Sequence, residues 1–362
     1  MSHVVPARDP VETANTLAMW LAARMSVEAV EVVNLSIPAA GFSNETILVT
    51  ARWIANDGAQ NSCDFVLRIE PTSHQLFAQP DAIRQARVMQ GLQGRVPVPN
   101  VLFTESENGY FGAPFYVMER VNGRVPGDVP SFHKRGWVAE LTPQERATLH
   151  RNAVGSLVDL HSIPNSTELK FLAQTPSQTP SQTPSRASAL WHYVDSVRQF
   201  HELSKPMLVH DRAVIDRGLS YVISEMPDDS ASSVVWGDAR VGNIIFADDL
   251  SVAALVDWEG ATAGPPEIDV AWWGMFDEFL CECQGLVRLD GVPTPQSFLE
   301  QYEALSGRRL ANLNYYRVLS TLVFSLINSR LAALLVDTGK STPEFARQIV
   351  TRVTSMMRQS LG

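Results

Sequence analysis

Residues 234–260, VVWGDARVGNIIFADDLSVAALVDWEG, place polar side chains beside two short apolar runs, and this pattern limits how the chain can fold. The runs NIIF and AALVDW are strand-like and flank a turn at 247–250, so we expect an antiparallel hairpin. Such a hairpin returns Asn243 and Asp257 to the same end of its strands, with Asp238 in the loop that enters them. Because an unpaired carboxylate beside buried strands costs several kcal/mol, the acidic side chains need an explanation.

The side chains of Asp238, Asn243 and Asp257 suit phosphoryl transfer. Mg²⁺ prefers oxygen ligands and is typically held by one or two carboxylates together with substrate phosphates and water. A further carboxylate can orient a hydroxyl group and take its proton. In kinases a catalytic-loop Asp, the Asn five residues later and a more distant Asp divide the work in this way. Each residue taken singly could instead cap a turn or end a strand, but their joint spacing favours the catalytic interpretation.

The N-terminal part is predicted to form a small antiparallel sheet. Asp9, Pro10 and Glu12 are typical of a helix start, and this helix is predicted to end near Met25. Alternating apolar and polar residues predict strands in NLSIPAAGFSNETILVTARWI, CDFVLRIEP, VPVPNVLFTE and PFYVMERVNG. A helix over 82–91 interrupts them. Strands, one helix and further strands favour an antiparallel sheet that carries a single helix.

From about residue 140 the pattern is mainly helical. Helices are predicted over 145–162, 190–201 and 211–225, and again from 268 onward. The segment QTPSQTPSQTPS repeats a four-residue unit three times. Its regular prolines support neither a helix nor a strand ladder, so a mobile surface loop is predicted at 174–186.

Composition narrows the class of protein. The 362 residues are 45% hydrophobic and 19% charged, which is typical of a globular chain long enough for two domains. A formal net charge of −10 argues against nucleic-acid binding, because phosphate backbones are bound by clustered Lys and Arg. Cys63, Cys281 and Cys283 form neither an even disulfide set nor a zinc motif.

Two segments bear on membranes and export. The stretch 318–336 is strongly apolar but contains Asn328 and Arg330, which favours a buried helix over a membrane span. Asp9 and Glu12 stand where an export signal would need basic residues. We therefore expect a cytoplasmic protein with no membrane partner, and the sequence does not predict its oligomeric state.

WGDARVGNIIF followed by ALVDWEGATAGPPEIDVAWW resembles the aminoglycoside phosphotransferase and choline kinase superfamily, whose fold is similar to that of protein kinases. The pattern there is His-Gly-Asp, four residues, Asn, then Asp-[Trp/Phe/Tyr]-Glu and a further Asp. The late segment TPQSFLEQYEALSGRRLANLNYYR is similar to a branch found fused to, or beside, acyl-CoA dehydrogenases. The resemblance implies a bilobal α+β fold, with a small antiparallel-sheet lobe at 1–120 and a larger, mainly helical lobe at 121–362.

The resemblance also assigns roles. Asp238 would be the catalytic base, Asn243 and Asp257 the Mg²⁺ ligands, and Asp269 a support for the catalytic loop. The residues themselves give two indications of the acceptor: Arg240, beside the base, favours an anionic group, whereas the net charge of −10 favours an amine. The implied ATP contacts are Gly41, Phe42, Ser43 and Asn44 over the phosphates, Arg68 against them, and Met118, Glu119 and Arg120 near the adenine. The implied activity moves the γ-phosphate of ATP to a hydroxyl of a small molecule, with a hydroxyacyl-CoA-type compound among the candidate acceptors.

Three positions depart from the superfamily pattern. Trp236 replaces the usual His before Gly-Asp, so the hydrogen bond of that His is absent or replaced. Arg68 stands where protein kinases use Lys, and its guanidinium can hold phosphate oxygens in a bidentate fork. Gln85 falls where a helix Glu would pair with this cation, and Glu70, on the same strand face as Arg68, could substitute. These departures leave an alternative open, in which the chain is a catalytically inactive nucleotide-binding or scaffold protein.

Overall fold

The computed structural model describes residues 8–37, 45–72, 76–77, 80–164, 167–173, 188–228 and 232–362. The chain divides into two compact units, Met1–Gln90 with Pro99–Val121 and Gly91–Val98 with Asn122–Gly362. The loop predicted at 174–186 lies outside the described residues.

The N-terminal helices and strands follow one another in the order that the sequence predicted. They are α1 (Pro10–Met25), β1 (Val30–Ser36), β2 (Glu45–Ile54), β3 (Gln60–Ile69), α2 (Ala82–Leu92), β4 (Val101–Glu105) and β5 (Phe115–Glu119). The side chain of Asp9 accepts a hydrogen bond from the N–H of Glu12, and Pro10 opens α1, since both residue types favour a helix start.

The five strands form one antiparallel sheet in the order β1-β2-β3-β5-β4. Residues at alternate positions of β2, such as Ile47 and Val49, are buried, as are Phe65 and Leu67 of β3. They pack with Trp20 of α1 in a single apolar cluster. The period of two follows from strand geometry and places the cluster on one face of the sheet.

The C-terminal elements are mainly helical. They are α3 (Trp137–Glu140), α4 (Pro143–His161), α5 (Ala189–Ser204), α6 (Arg212–Ser224), β6 (Ser233–Val235), β7 (Ile244–Phe246), β8 (Val252–Leu255), β9 (Thr262–Gly264), α7 (Glu267–Leu280), α8 (Pro295–Ser306), α9 (Leu313–Asp337) and α10 (Pro343–Leu361). β6 pairs with β9 and β7 with β8. The predicted fold class, a small antiparallel sheet followed by a larger helical part, is confirmed.

Helix α9 supplies much of the second unit's core. Val318, Leu322 and Leu326 are fully buried in a cluster with residues of α5, α6 and α7. In the part of the chain that the structure describes, α9 is the one helix long and apolar enough to cross a membrane, and 72% of its apolar window is buried inside the fold. Its apolar side chains are thus used in packing against neighbouring helices.

Candidate active site

The hairpin predicted from residues 234–260 is present. β7 and β8 pair antiparallel, with Ile244 opposite Leu255. Beyond this pair, the N–H of Val256 donates to the carbonyl oxygen of Asn243 at 3.0 Å. Asp257 is the next residue, so Asn243 and Asp257 lie at the same end of the hairpin.

The Asp238 carboxylate accepts hydrogen bonds from three side chains. The indole Nε1 of Trp272 donates to Oδ1 at 2.9 Å, and Nδ2 of Asn243 donates to Oδ2 at 2.7 Å. Nε of Arg240 is shared between Oδ1 at 3.1 Å and Oδ2 at 3.0 Å. Asn243 also donates to the backbone carbonyl of Asp238 at 3.0 Å. An ionised carboxylate can only accept hydrogen bonds, and every neighbour here is a donor.

The Arg240 guanidinium is shared by two carboxylates. Its Nη1 donates to Oδ2 of Asp128, while its Nε faces Asp238. Its Cζ lies 4.8 Å from the ring centroid of Phe276, a favourable cation–π distance. Burial lowers the pKa of Arg240, but the charges of Asp238 and Asp128 outweigh burial and raise this pKa above its ordinary value. Arg240 is therefore a fixed positive charge beside Asp238.

Asp269, at the start of α7, holds the loop that carries Asp238. Its Oδ2 accepts from the N–H of Trp236 at 2.6 Å, and its Oδ1 accepts from the N–H of Gly237 at 2.8 Å. His161 continues the network, because its Nε2 lies 3.0 Å from Oδ2 of Asp269 and its Nδ1 lies 2.7 Å from the Tyr302 hydroxyl. Asp269 has no exposed surface. The geometry thus supplies the loop support that the resemblance assigned to Asp269.

Trp236 makes a loop contact of its own in the position of the expected His. Its Nε1 donates to the carbonyl oxygen of Val256 at 2.9 Å. This hydrogen bond ties the residues before Asp238 to the residue before Asp257. The Trp236 ring also stacks on Trp258, with ring centroids 5.5 Å apart, and both rings are buried. Trp236, which stands where a His was expected, therefore connects the segment before Asp238 with the segment before Asp257.

Backbone geometry constrains the same two segments. Gly237 has φ 85°, and a Cβ there would lie 2.1 Å from the carbonyl oxygen of Gly260, so only glycine fits before Asp238. Asp257 has φ 65° and ψ 64°, a left-handed conformation that costs a non-glycine residue about 1–2 kcal/mol. Such strain persists where the surroundings impose it, and it concentrates at functional sites.

The residues predicted to bind metal fit Mg²⁺. The amide nitrogen of Asn243 donates to Asp238, so its carbonyl oxygen Oδ1 is the atom that could face a metal ion. Asp257 adds a half-buried carboxylate at the same hairpin end. No group of three or more His, Cys, Asp and Glu side chains that could hold a metal ion occurs among the described residues. One carboxylate and one amide form the small ligand set typical of Mg²⁺ that also binds substrate phosphates.

Arg68 lies in the middle of the first unit's sheet. It sits opposite Thr46 in β2, and its Nη1 donates to the Thr46 hydroxyl at 2.9 Å. Glu70, considered above as its partner, accepts a hydrogen bond from the N–H of Ala82 at 3.1 Å. Glu70 thus binds the first N–H of α2. Gln85 of the same helix is buried.

Met118 and Glu119 end β5, and Arg120 follows them. Met118 is buried, and Oε1 of Glu119 accepts from the N–H of Asn100 at 3.0 Å. The N–H of Arg120 donates to the carbonyl oxygen of Asp64 at 3.3 Å. The remaining predicted nucleotide contacts, Gly41, Phe42, Ser43 and Asn44, lie outside the described residues.

Sequence reasoning missed two contacts of the Asp238 cluster. Asp128 belongs to no motif and is 112 positions from Arg240. Trp272 is buried in the core, and its indole N–H nevertheless reaches Asp238. One signal was available, because Trp272 follows Asp269 by three positions and residues three apart share a helix face.

Comparison with known proteins places the chain among phosphotransferases. The model of the "Phosphotransferase enzyme family" (APH) matches residues 34–311. Acyl-CoA dehydrogenase family member 11 of Homo sapiens is 26% identical over 266 residues, which cover 71% of this chain and 32% of that protein. Acyl-CoA dehydrogenase family member 10 of Mus musculus is 28% identical over 301 residues, 78% of this chain and 25% of that protein. The chain thus spans about a third or less of these relatives' length.

Solved structures share the fold at low identity. A Ralstonia eutropha protein assigned as an aminoglycoside phosphotransferase superposes with a TM-score of 0.64 at 20% identity, covering 95% of this chain and 98% of that one. Aminoglycoside phosphotransferase APH(4)-Ia, in a ternary complex with ADP and hygromycin B, gives a TM-score of 0.56 at 16% identity, covering 96% and 99%. Macrolide 2'-phosphotransferase MphH of Brachybacterium faecium gives 0.51 at 17% identity, covering 91% and 96%.

Proposed function

The chain belongs to the phosphotransferase enzyme family, and on that premise we propose that it moves the γ-phosphoryl group of ATP to a hydroxyl group of a small molecule. The observation that carries this proposal is the cluster around Asp238. Asn243 binds the Asp238 carboxylate at 2.7 Å, and its backbone is bonded to the residue before Asp257. A general base and two metal-ligating side chains therefore converge on one loop and one hairpin end.

Asp238 acts as the base in this reaction. Its carboxylate accepts the proton of the acceptor hydroxyl while the hydroxyl oxygen bonds to the γ-phosphorus and the bond from that phosphorus to ADP breaks. The donors Trp272 and Asn243 fix the orientation of the carboxylate. Asp269 holds the backbone immediately before it. Such positioning, together with electrostatics, supplies most of the rate in phosphoryl transfer.

Asn243 and Asp257 are the residues that would hold Mg²⁺. When bound, Mg²⁺ neutralises charge on the phosphate oxygens and orients them for transfer. Arg240 supplies a second positive charge. Its Nη2 makes no hydrogen bond within the described residues, and it can donate to an oxygen of the transferred phosphoryl group.

The first unit contributes the nucleotide contacts that the family resemblance assigns. Arg68 is the phosphate-binding cation in this proposal. Met118, Glu119 and Arg120, at the end of β5, are the proposed adenine contacts, and Gly41, Phe42, Ser43 and Asn44 are the proposed phosphate contacts. A solved relative of the same fold was crystallised with ADP, which supports a nucleoside triphosphate as the donor.

The names of the similar proteins suggest one class of acceptor to test first. The similar proteins carry the name acyl-CoA dehydrogenase family member, so a hydroxyl on an acyl-CoA chain is our candidate. Solved structures of the same fold hold other hydroxyl compounds, such as hygromycin B. Because identity to those structures is low, their ligands do not decide the acceptor.

A screen for ATP consumption tests the function. Purified protein is incubated with ATP, Mg²⁺ and panels of hydroxyacyl-CoAs, amino alcohols, sugars and aminoglycosides, and ADP formation is followed with and without EDTA. We expect EDTA-sensitive ADP formation with at least one panel and a phosphorylated product by mass spectrometry. The inactive alternative predicts nucleotide binding without product in any panel, and that result would replace the kinase assignment.

A further inference from the structure

Asp128 lies beside the candidate base although no motif includes it. It sits in the loop between β5 and α3 and forms an isolated backbone bridge with Ser131. Its Oδ2 accepts from Nη1 of Arg240, and Arg240 in turn contacts Asp238. The side chains of Asp128, Arg240 and Asp238 are 26%, 17% and 22% exposed. A small molecule that reaches Asp238 therefore meets all three charges.

The contact between Asp128 and Arg240 depends on the absence of a side chain at Gly242. A Cβ at Gly242 would lie 2.5 Å from Nη1 of Arg240 and 2.5 Å from Oδ1 of Asp128. The pair is thus seated against a glycine in the turn between Asp238 and Asn243. Oδ1 of Asp128 is buried and has no hydrogen-bond partner among the described residues, so Arg240 is the group that compensates this carboxylate.

The charges of Asp128 and Arg240 depend on one another. Burial raises the pKa of Asp128 and the charge of Asp238 adds to the rise, while Arg240 opposes both. Conversely, Asp128 occupies Nη1 of Arg240. A carboxylate ligand binds Arg most strongly through two parallel N–H groups. Nε of Arg240 already donates to Asp238 and Nη1 to Asp128, so each pair of neighbouring N–H groups has one member in use. Two carboxylates and one guanidinium also leave the cluster with one uncompensated negative charge.

We propose that Asp128 is a specificity-determining residue that excludes acceptors with a negative group beside the reactive hydroxyl. An anionic group there would meet two carboxylates and an Arg whose Nε and Nη1 already donate to them, with Nη2 assigned to the transferred phosphoryl group. The accepted class is a hydroxyl compound whose reactive end is neutral or cationic, with any anionic group remote from it. The sequence alone favoured an anion near Arg240, and the contact with Asp128 reverses that expectation. This inference rests on the proposed function.

Anion binding tests the inference without turnover. Ligand-observed NMR titrations compare 3-hydroxybutyrate with its neutral analogue 3-hydroxybutyramide on the wild type, Asp128→Asn and Asp128→Ala. We expect both substitutions to raise the affinity for 3-hydroxybutyrate at least about tenfold and to leave the affinity for the amide unchanged. Adding Arg240→Gln to Asp128→Asn should abolish the gain. Asp248→Asn is the control, because it removes the same charge from a fully exposed side chain.

Phosphorylation of 3-hydroxybutyrate and 3-hydroxybutyramide distinguishes a failure of this inference from a failure of the proposed function. If the wild type phosphorylates the amide in preference to the acid and Asp128→Asn reverses the order, the inference is supported. If neither this pair nor any compound of the four panels is phosphorylated by any variant, the proposed function fails and the titration alone decides about Asp128. Equal affinities of the wild type, Asp128→Asn and Asp128→Ala for 3-hydroxybutyrate would overturn the inference, as would an equal gain in Asp248→Asn.

Discussion

The indole N–H of Trp272 donates a hydrogen bond to Oδ1 of Asp238 at 2.9 Å. The indole is rigidly held, because Trp272 is buried and packs in an aromatic cluster with Phe276 and Phe324. A neutral donor on a fixed ring restricts the carboxylate to one orientation. The contact thus links the packing of α7 to the geometry of the candidate base.

Replacing Trp272 by Phe should slow turnover without weakening nucleotide binding. The substitution keeps an aromatic ring and removes the hydrogen bond to Asp238, which is worth about 1.5 kcal/mol or roughly tenfold in kcat. Steady-state kinetics should show kcat reduced by about that factor and KM for ATP unchanged. Trp273→Phe is the matched control, because Trp273 stacks on Phe298 in the core. Equal losses in both variants would show that Trp272 acts only through packing.

Asp238→Asn should remove the proton acceptor while keeping the shape of the side chain. We expect kcat to fall by about 10²- to 10⁴-fold, the usual contribution of general-base catalysis. ATP binding, measured by calorimetry, should stay within about twofold, because Asp238 is assigned no contact with the nucleotide. A variant with undiminished kcat would remove Asp238 from the mechanism.

Asp257→Ala should abolish the part of nucleotide binding that depends on Mg²⁺. The substitution removes the carboxylate at the hairpin end and leaves Asn243 as the remaining assigned ligand. Thermal unfolding of the wild type should shift upward with ATP and Mg²⁺ together, since ligands that bind the folded state stabilise it. The variant should show equal shifts with and without the metal. Asp248→Ala, an exposed residue of the same hairpin's turn, should behave like the wild type.

Trp236→Phe should loosen the connection between the two acidic segments. It removes the hydrogen bond to the Val256 carbonyl, made at 2.9 Å, but keeps a ring that can stack on Trp258. Urea denaturation should show a loss of about 1 kcal/mol in unfolding free energy, because a partly buried carbonyl loses its hydrogen-bond partner. The affinity for Mg²⁺ and ATP together should also fall. Unchanged stability and affinity would mean that this hydrogen bond does not hold the site.

His150 should make stability depend on pH. It is fully buried in α4, neither ring nitrogen has a hydrogen-bond partner among the described residues, and burial lowers its pKa to about 4. The unfolded chain has the ordinary His pKa of about 6.5. The unfolded state therefore binds a proton first, and stability present above pH 6.5 is lost as the pH falls towards 4, by about 3 kcal/mol in total.

The matched variant for this prediction is His150→Phe, which has no group to titrate at this position. Urea denaturation at pH 7.5, 5.5 and 4.5 should show the wild type losing more unfolding free energy than the variant over this range. Parallel pH profiles for the two proteins would contradict a buried neutral His150.

The hairpin and the helix starts could be predicted because their causes are local. A helix cap such as Asp9 acts on an N–H three residues away, and the spacing of Asn243 and Asp257 follows from two short strands and a turn. Interactions between residues close in sequence can be read from the sequence itself. The α+β order of elements and the placement of Asn243 and Asp257 at one end of the hairpin were therefore predictable.

The surroundings of Asp238 were decided by tertiary packing. Trp272 reaches Asp238 across 34 positions, and Asp128 reaches Arg240 across 112. Trp236 donates a hydrogen bond to the Val256 carbonyl across 20 positions, and no spacing rule predicts this contact. Contacts between distant side chains depend on how helices and loops pack, and packing is set by the whole core rather than by any one segment. The sequence therefore determined the chemistry available at this site, and the fold decided which charges surround the base.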